Sequence, residues 1–157
     1  MMQMRPVSMS DKERTEESVT KRAFKCTWGM NDQEWGQHRE FMRAVIVGVA
    51  QSKTTITYGE LSEIVFDRRF SARSSALAQM LEEVCTLEDA QTDVELGSVV
   101  VRADSGIPGK GYFLYAREHL DRHINPSDPA SCRHFWQNEI RRVWDIYDTA
   151  SETEGRG

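Results

Sequence analysis

The sequence predicts an α+β domain, mostly helical, of the winged helix-turn-helix kind, with a β-hairpin wing and a C-terminal helix. Three observations inside Thr55–Tyr115 predict it. Thr57-Tyr58-Gly59-Glu60-Leu61 joins a β-branched, aromatic segment to a helix start. A second helical pattern follows over Ser74–Cys85, and Val99–Val101 and Tyr112–Tyr115 then flank a glycine-rich turn. An extended piece, two helices and a glycine-tipped hairpin, in that order, are the parts of a winged unit.

A chain of 157 residues, 39% of them hydrophobic, suits a single domain with a real core. Residues 26–149 are expected to form that domain. Residues 1–25 read as a disordered arm and 150–157 as a polar tail, because their charges are closely mixed and no apolar period runs through them. No apolar run approaches the roughly 18 residues of a membrane span, and Met1–Ser10 lacks a signal-peptide core. A cytoplasmic protein with no membrane partner is the expectation. Cys26, Cys85 and Cys132 are odd in number and lack CxxC spacing, which points to reduced thiols rather than a disulfide framework or a zinc site. A net charge of −5 argues against general binding of polyanions, so any nucleic-acid site must be a local patch.

The first helix starts at Asn31 or Asp32, either of which can cap exposed N–H groups. Trp35, Phe41, Met42, Val45, Ile46 and Val49 recur at three- and four-residue spacing and predict a buried stripe as far as Ala50. Thr54–Tyr58 favours a short extended segment. Thr57 and Glu60 then form a capping-box pattern for a second helix, with Leu61, Ile64 and Val65 inward. Asp67–Arg73 is the turn. The third helix follows over Ser74–Cys85, burying Leu77, Met80, Leu81 and Val84, and Cys85 beside this face reads as a small packed side chain rather than a nucleophile.

Charge divides this third element. Arg68, Arg69 and Arg73 gather at its front, where exposed N–H groups and the positive end of the helix dipole also attract phosphate oxygens. Glu82, Glu83, Glu88, Asp89, Asp93 and Glu95 follow with no basic residue among them, and that end should repel nucleic acid. A helix entering a DNA groove by its N-terminal end needs this polarity. Arg102 and Lys110, on the expected hairpin, are added as backbone contacts. The loop Ser105-Gly106-Ile107-Pro108-Gly109-Lys110-Gly111 lacks the Ser/Thr and the following helix of a phosphate-binding P-loop; its glycines suit a long turn.

Beyond the hairpin, Ala116–Ile124 predicts a short helix ending before Pro126. His119 and His123 share a face, but without a third ligand they assign no metal, and no cofactor motif is present. Ser127 or Asp128, with Pro129, starts the last helix, whose Phe135, Trp136, Ile140, Val143, Trp144 and Tyr147 form an aromatic face for docking on the body.

Thr57-Tyr58-Gly59-Glu60-Leu61, Ala72-Arg73 before a helix, and Val100-Val101-Arg102-Ala103-Asp104 leading to Gly106 and Gly111-Tyr112 resemble the DNA-binding domain of alkylguanine-DNA alkyltransferases and alkyltransferase-like proteins. The match covers about a third of the chain. It implies a winged helix-turn-helix on DNA, with Arg73 at the position of the arginine that replaces a flipped nucleotide. The family's Pro-Cys-His-Arg is absent: Leu96-Gly97-Ser98-Val99 stands there, with Gly97 in place of the acceptor cysteine, so alkyl transfer is not implied. Thr-Tyr-Gly-Glu-Leu, Gly-Ile-Pro-Gly-Lys-Gly-Tyr-Phe and the late Phe-Trp helix together also resemble small bacterial proteins to which no activity is assigned. Three classes of function follow. A non-catalytic module binding duplex DNA through the third helix and wing comes first. A protein-interaction adaptor using the acidic segment and the aromatic C-terminal helix is second. A nuclease-like enzyme drawing on Asp104, Glu95, Lys110 and the histidines is third, and no catalytic residue is assigned for it.

Overall fold

The computed structural model describes residues 28–67, 69–119 and 123–148. The arm expected over 1–25 and the tail over 150–157 lie outside these residues, as does Arg68. The chain divides into two compact units, Met1–Trp35 and Gly36–Gly157. In the first, Trp28 stacks on Trp35 with ring centroids 5.7 Å apart. Asn31 accepts from the Glu34 N–H at 2.8 Å while its own N–H donates back to the Glu34 carboxylate at 3.0 Å. That reciprocal pair caps helix α1, Asp32–Gln51.

The second unit is mostly helical around one small parallel sheet. Its elements are the rest of α1, strand β1 (Ile56–Thr57), helix α2 (Tyr58–Phe66), helix α3 (Ser75–Thr92), a 3-10 turn (Leu96–Val99), strand β2 (Val100–Val101), helix α4 (Lys110–His119) and helix α5 (Pro129–Ile146). β1 and β2 pair in parallel, Ile56 opposite Val100 and Thr57 opposite Val101. Parallel pairing requires a crossover, and α2 and α3 supply it. Met42, Ile46 and Ala50 of α1 are fully buried, as are Leu61, Leu77, Met80, Val84, Leu96, Val99 and Val100. Phe41 and Ile64, both expected inside, are each 48% exposed.

The capping box on α2 forms as the sequence predicts: Thr57 Oγ1 accepts from the Glu60 N–H at 3.1 Å and the Glu60 carboxylate takes the Thr57 N–H at 3.0 Å. Ser74 caps α3 by accepting from the Leu77 N–H at 3.1 Å. That helix runs on to Thr92, well past the expected end at Cys85.

The β-hairpin wing is not formed. Val100–Val101 pairs with β1, and Tyr112–Tyr115 is helical, inside α4. A tight loop stands there instead: the Arg102 N–H donates to the Ile107 carbonyl and the Gly106 N–H to the Arg102 carbonyl, both at 2.9 Å, with Gly106 at φ +75°. Pro108 comes next and has no N–H with which to extend a ladder. Lys110 then opens a helix whose buried Tyr112, Phe113 and Ala116 repeat with a helical, not an alternating, period. Tyr112 and Phe113 meet edge to face at 4.8 Å and cluster with Ile124 and Cys132, with Phe135 and Trp136 packed alongside.

The acidic run and the aromatic helix are largely used inside the unit. Arg39 of α1 pairs with Glu83 at 2.9 Å and Arg43 reaches Glu88 at 3.4 Å, so α1 supplies the cations that the local sequence lacks. Asp89 and Glu95 are buried. On α5, Trp136 Nε1–H donates to the Ser98 carbonyl at 2.8 Å, Trp144 Nε1–H to the Thr54 carbonyl at 3.2 Å, and the Tyr147 hydroxyl to Glu88 at 2.6 Å. α5 therefore docks with its indole and phenol groups satisfied by the body.

Candidate functional site

Two features of the second unit bear on function, a basic end and a cavity. At the basic end, two contacts gather the starts of three helices. Tyr58, the first residue of α2, accepts the Gly109 N–H on its hydroxyl at 3.0 Å, one residue before α4 begins. At Gly59 a side-chain Cβ would stand 3.8 Å from the Ala72 Cβ, three residues before α3 begins. Arg73, next to Ala72, and Lys110, next to Gly109, are thereby carried to the same end as the start of α2. Both are exposed, and among the described residues no carboxylate pairs with either.

The other expected cations differ. Arg69 is exposed and its guanidinium lies 5.4 Å from the Phe70 ring centroid, with Phe70 edge-on to Phe66 at 4.8 Å. Arg102 is held in a two-pronged pair by Asp104, at 3.0 and 2.7 Å. That pair raises the guanidinium further and draws Asp104 below the usual carboxylate range. Arg102 is thus a weaker phosphate contact than its sequence position promises. Arg133, not expected at this end from the sequence, reaches the Ser105 carbonyl from α5 at 3.5 Å and brings a cation beside the loop.

A cavity of about 390 Å³ lies between α3 and α4, and the 3-10 turn contributes to its lining. Tyr58, Cys85, Gly97, Tyr112 and Tyr115 contribute to its wall. Ser98 Oγ–H donates to the Glu95 carbonyl at 2.7 Å, which leaves the hydroxyl of Tyr112, 2.6 Å away, to donate to Ser98 Oγ. Burial pushes Tyr112 far above the ordinary phenol range, and the Glu95 charge adds to this. Burial also raises Tyr58, and carries Tyr115 to about 12. The phenols therefore stay protonated. Nothing in the local pattern marks this cavity, because its walls come from segments that the sequence presents as separate elements.

Gly97, at the position the resemblance gives to an acceptor cysteine, sits on the 3-10 turn. A Cβ there would lie 3.3 Å from the Cys85 sulfur and 3.7 Å from the Tyr112 ring, so the thiol of Cys85 occupies neighbouring space. Its chemistry differs from that of a nucleophile. Burial, and after it the charges of Asp89 and Glu95, push the Cys85 thiol well above its ordinary range, although the Gly97 amide opposes them. A reactive cysteine needs thiolate, which this acidic, enclosed setting disfavours.

The groups considered for a nuclease-like enzyme are in different environments. Glu95 is buried, while Asp104 and Lys110 are exposed. Among the described residues, no three His, Cys, Asp or Glu side chains are grouped so as to hold a metal ion, and no helix is long and apolar enough to cross a membrane. No family model, no curated protein and no solved structure matches the chain.

Proposed function

We propose that the chain is a non-catalytic module that binds duplex DNA, with α2 and α3 as its helix-turn-helix and the 102–109 loop, which forms no wing hairpin, beside them. The gathering of Arg73 and Lys110 at one end with the starts of α2, α3 and α4 carries the reading. Helix N-terminal ends favour anions, and exposed arginine and lysine beside them add charge–charge attraction to phosphates. On α3, Glu83 and Glu88 are paired with Arg39 and Arg43 and Asp89 is buried, while Glu82 stays exposed, so only part of this acid faces a duplex at the front. Arg69 and Arg73 are assigned to the duplex, Lys110 to its backbone, and Arg102 to a minor contact; Arg68, outside the described residues, is retained from the sequence alone.

Fluorescence anisotropy with a labelled duplex at two salt concentrations tests this. Wild type should bind with an affinity that falls steeply with salt, and Arg69→Ala/Arg73→Ala should bind more weakly, with a slope lower by about 0.9 for each phosphate that is no longer neutralised. Arg39→Ala is the control, because that guanidinium is held by Glu83. Absence of salt-dependent binding by wild type, or equal weakening in the control, would refute the reading. The non-catalytic part has a separate check: incubation with duplex containing an alkylated guanine should leave the mass of every cysteine unchanged.

A further inference from the structure

We propose that the cavity between α3 and α4 is a binding site for a small organic cation, an aryl-alkylammonium, distinct from the DNA contacts assigned to the basic end. Its lining includes three carboxylates, Glu82, Glu95 and Glu118, and, among the described residues, no lysine, arginine or histidine. Glu82 on α3 and Glu118 on α4 are both exposed while lining the cavity, which places a carboxylate on each side of its open edge. Glu95 lines it from within and is 2% exposed.

The remainder of the wall says which cation. Leu81 and Leu114 make it apolar, and Tyr58, Tyr112 and Tyr115 bring three aromatic rings to the same space. Protonated phenols and a protonated thiol add no further negative charge inside, so a ligand meets aromatic and aliphatic surface first and carboxylates second. An inorganic cation would want a closed shell of oxygen ligands, and the described residues offer no such group. A phosphate, a nucleotide or a carboxylic acid would be repelled by the lining carboxylates, and no cation is among the described lining residues to receive it. A protonated amine on an aromatic or aliphatic body satisfies both parts of the wall, since ammonium groups are attracted to ring faces as well as to carboxylates. A volume of about 390 Å³ is at the small end of the range for ligand pockets, which suits a single small molecule.

The test uses the full chain and three probes of like shape: 2-phenylethylamine, 2-phenylethanol and 3-phenylpropionate. Isothermal titration at neutral pH should give the amine about tenfold tighter binding than the neutral alcohol, with the carboxylate weakest. Glu82→Gln/Glu118→Gln should remove most of the difference between amine and alcohol, while both still bind. Ala78→Trp, at an exposed lining position where a bulky side chain need not disturb the core, should abolish binding of all three. Circular dichroism of each variant reports that the fold is kept. Equal affinity for amine and alcohol, tighter binding of the carboxylate, no saturable binding of the amine to wild type, or full amine binding by Ala78→Trp would each overturn the proposal. Duplex affinity, measured in parallel, should not fall in Glu82→Gln/Glu118→Gln, since the change removes only negative charge, so failure of this site and failure of the DNA reading give different results.

Discussion

The two halves of α3 handle charge in opposite ways. Its front carries Arg73 before the Ser74 cap and leaves that guanidinium to solvent. Its far half has a surplus of acid, yet Glu83 is held by Arg39, Glu88 by Arg43 and Tyr147, and Asp89 turns inward to accept the Leu96 N–H at 2.9 Å. Buried or paired charge mainly affects stability and its dependence on pH; exposed charge mainly affects what the surface attracts. The net charge of −5 therefore misleads when read as a property of the whole surface.

The largest effect should come from the packed side of this comparison. Phe113 is buried in α4 between Tyr112 and Phe135, so Phe113→Ala should cost about 3–5 kcal/mol in urea denaturation. A residue on a solvent-facing wing strand would cost far less. A destabilisation below about 1 kcal/mol would show that α4 does not pack as described.

Asp89 gives the next effect, through pH. Burial, and after it the Glu139 charge, raises this carboxyl to about 7, while the Leu96 N–H and the Tyr115 hydroxyl lower it. Because its folded value exceeds the unfolded one, near 4, the folded state holds the proton more tightly. The stability from protonated Asp89 is fully present below about pH 4 and is lost as pH rises through about 7. Asp89→Asn keeps an acceptor for Leu96 and cannot ionise. It should flatten this part of the stability profile between pH 4 and 8 and gain on wild type at the upper end. Parallel profiles for the two proteins would show that Asp89 is not held as a buried acid.

What the sequence made legible was whatever local chemistry decides. Thr57 with Glu60 is a contact three residues apart, and that cap lies where the pattern predicts it; the Ser74 contact with the Leu77 N–H is equally local, but the sequence pattern places Ser74 inside the helix rather than at its cap. The hairpin failed because Tyr112-Phe113-Leu114-Tyr115 suits a strand by composition, whereas its burial depends on Phe135 and Trp136 from more than twenty residues away. The end of α3 was set too early for a related reason: a run of acids reads as surface until Arg39 and Arg43 arrive from another helix. Of the expected cations, Arg73 and Lys110 come to one end, while the hold of Asp104 on Arg102 required the folded loop to be seen. The cavity was invisible because its wall is assembled from distant segments.

A smaller effect probes the junction between the two halves. Ser74→Ala removes the acceptor of the Leu77 N–H at the front of α3 and should cost about 1 kcal/mol in urea denaturation. The pH dependence assigned to Asp89, about four turns further along the helix, should be unchanged. A cap variant that also altered that dependence would mean the two ends are coupled rather than separate.

The smallest expected effect concerns a cation at the front that is already engaged. Arg102 and Asp104 are both exposed, and their pair competes with any phosphate that approaches the loop. An exposed pair contributes little to stability, so Asp104→Ala should leave the urea midpoint almost unmoved. It should, however, free the guanidinium and remove an anion from the surface assigned to DNA. Duplex affinity at low salt should then rise by about twofold to threefold, and the salt slope should steepen by up to about 0.9 if Arg102 gains one phosphate. Removing a negative charge would by itself raise affinity even if Arg102 touched no phosphate, and the double variant Arg102→Ala/Asp104→Ala separates the cases. If the gain persists in the double variant, Arg102 is not on the binding face; if it disappears, the loop touches the duplex through this residue.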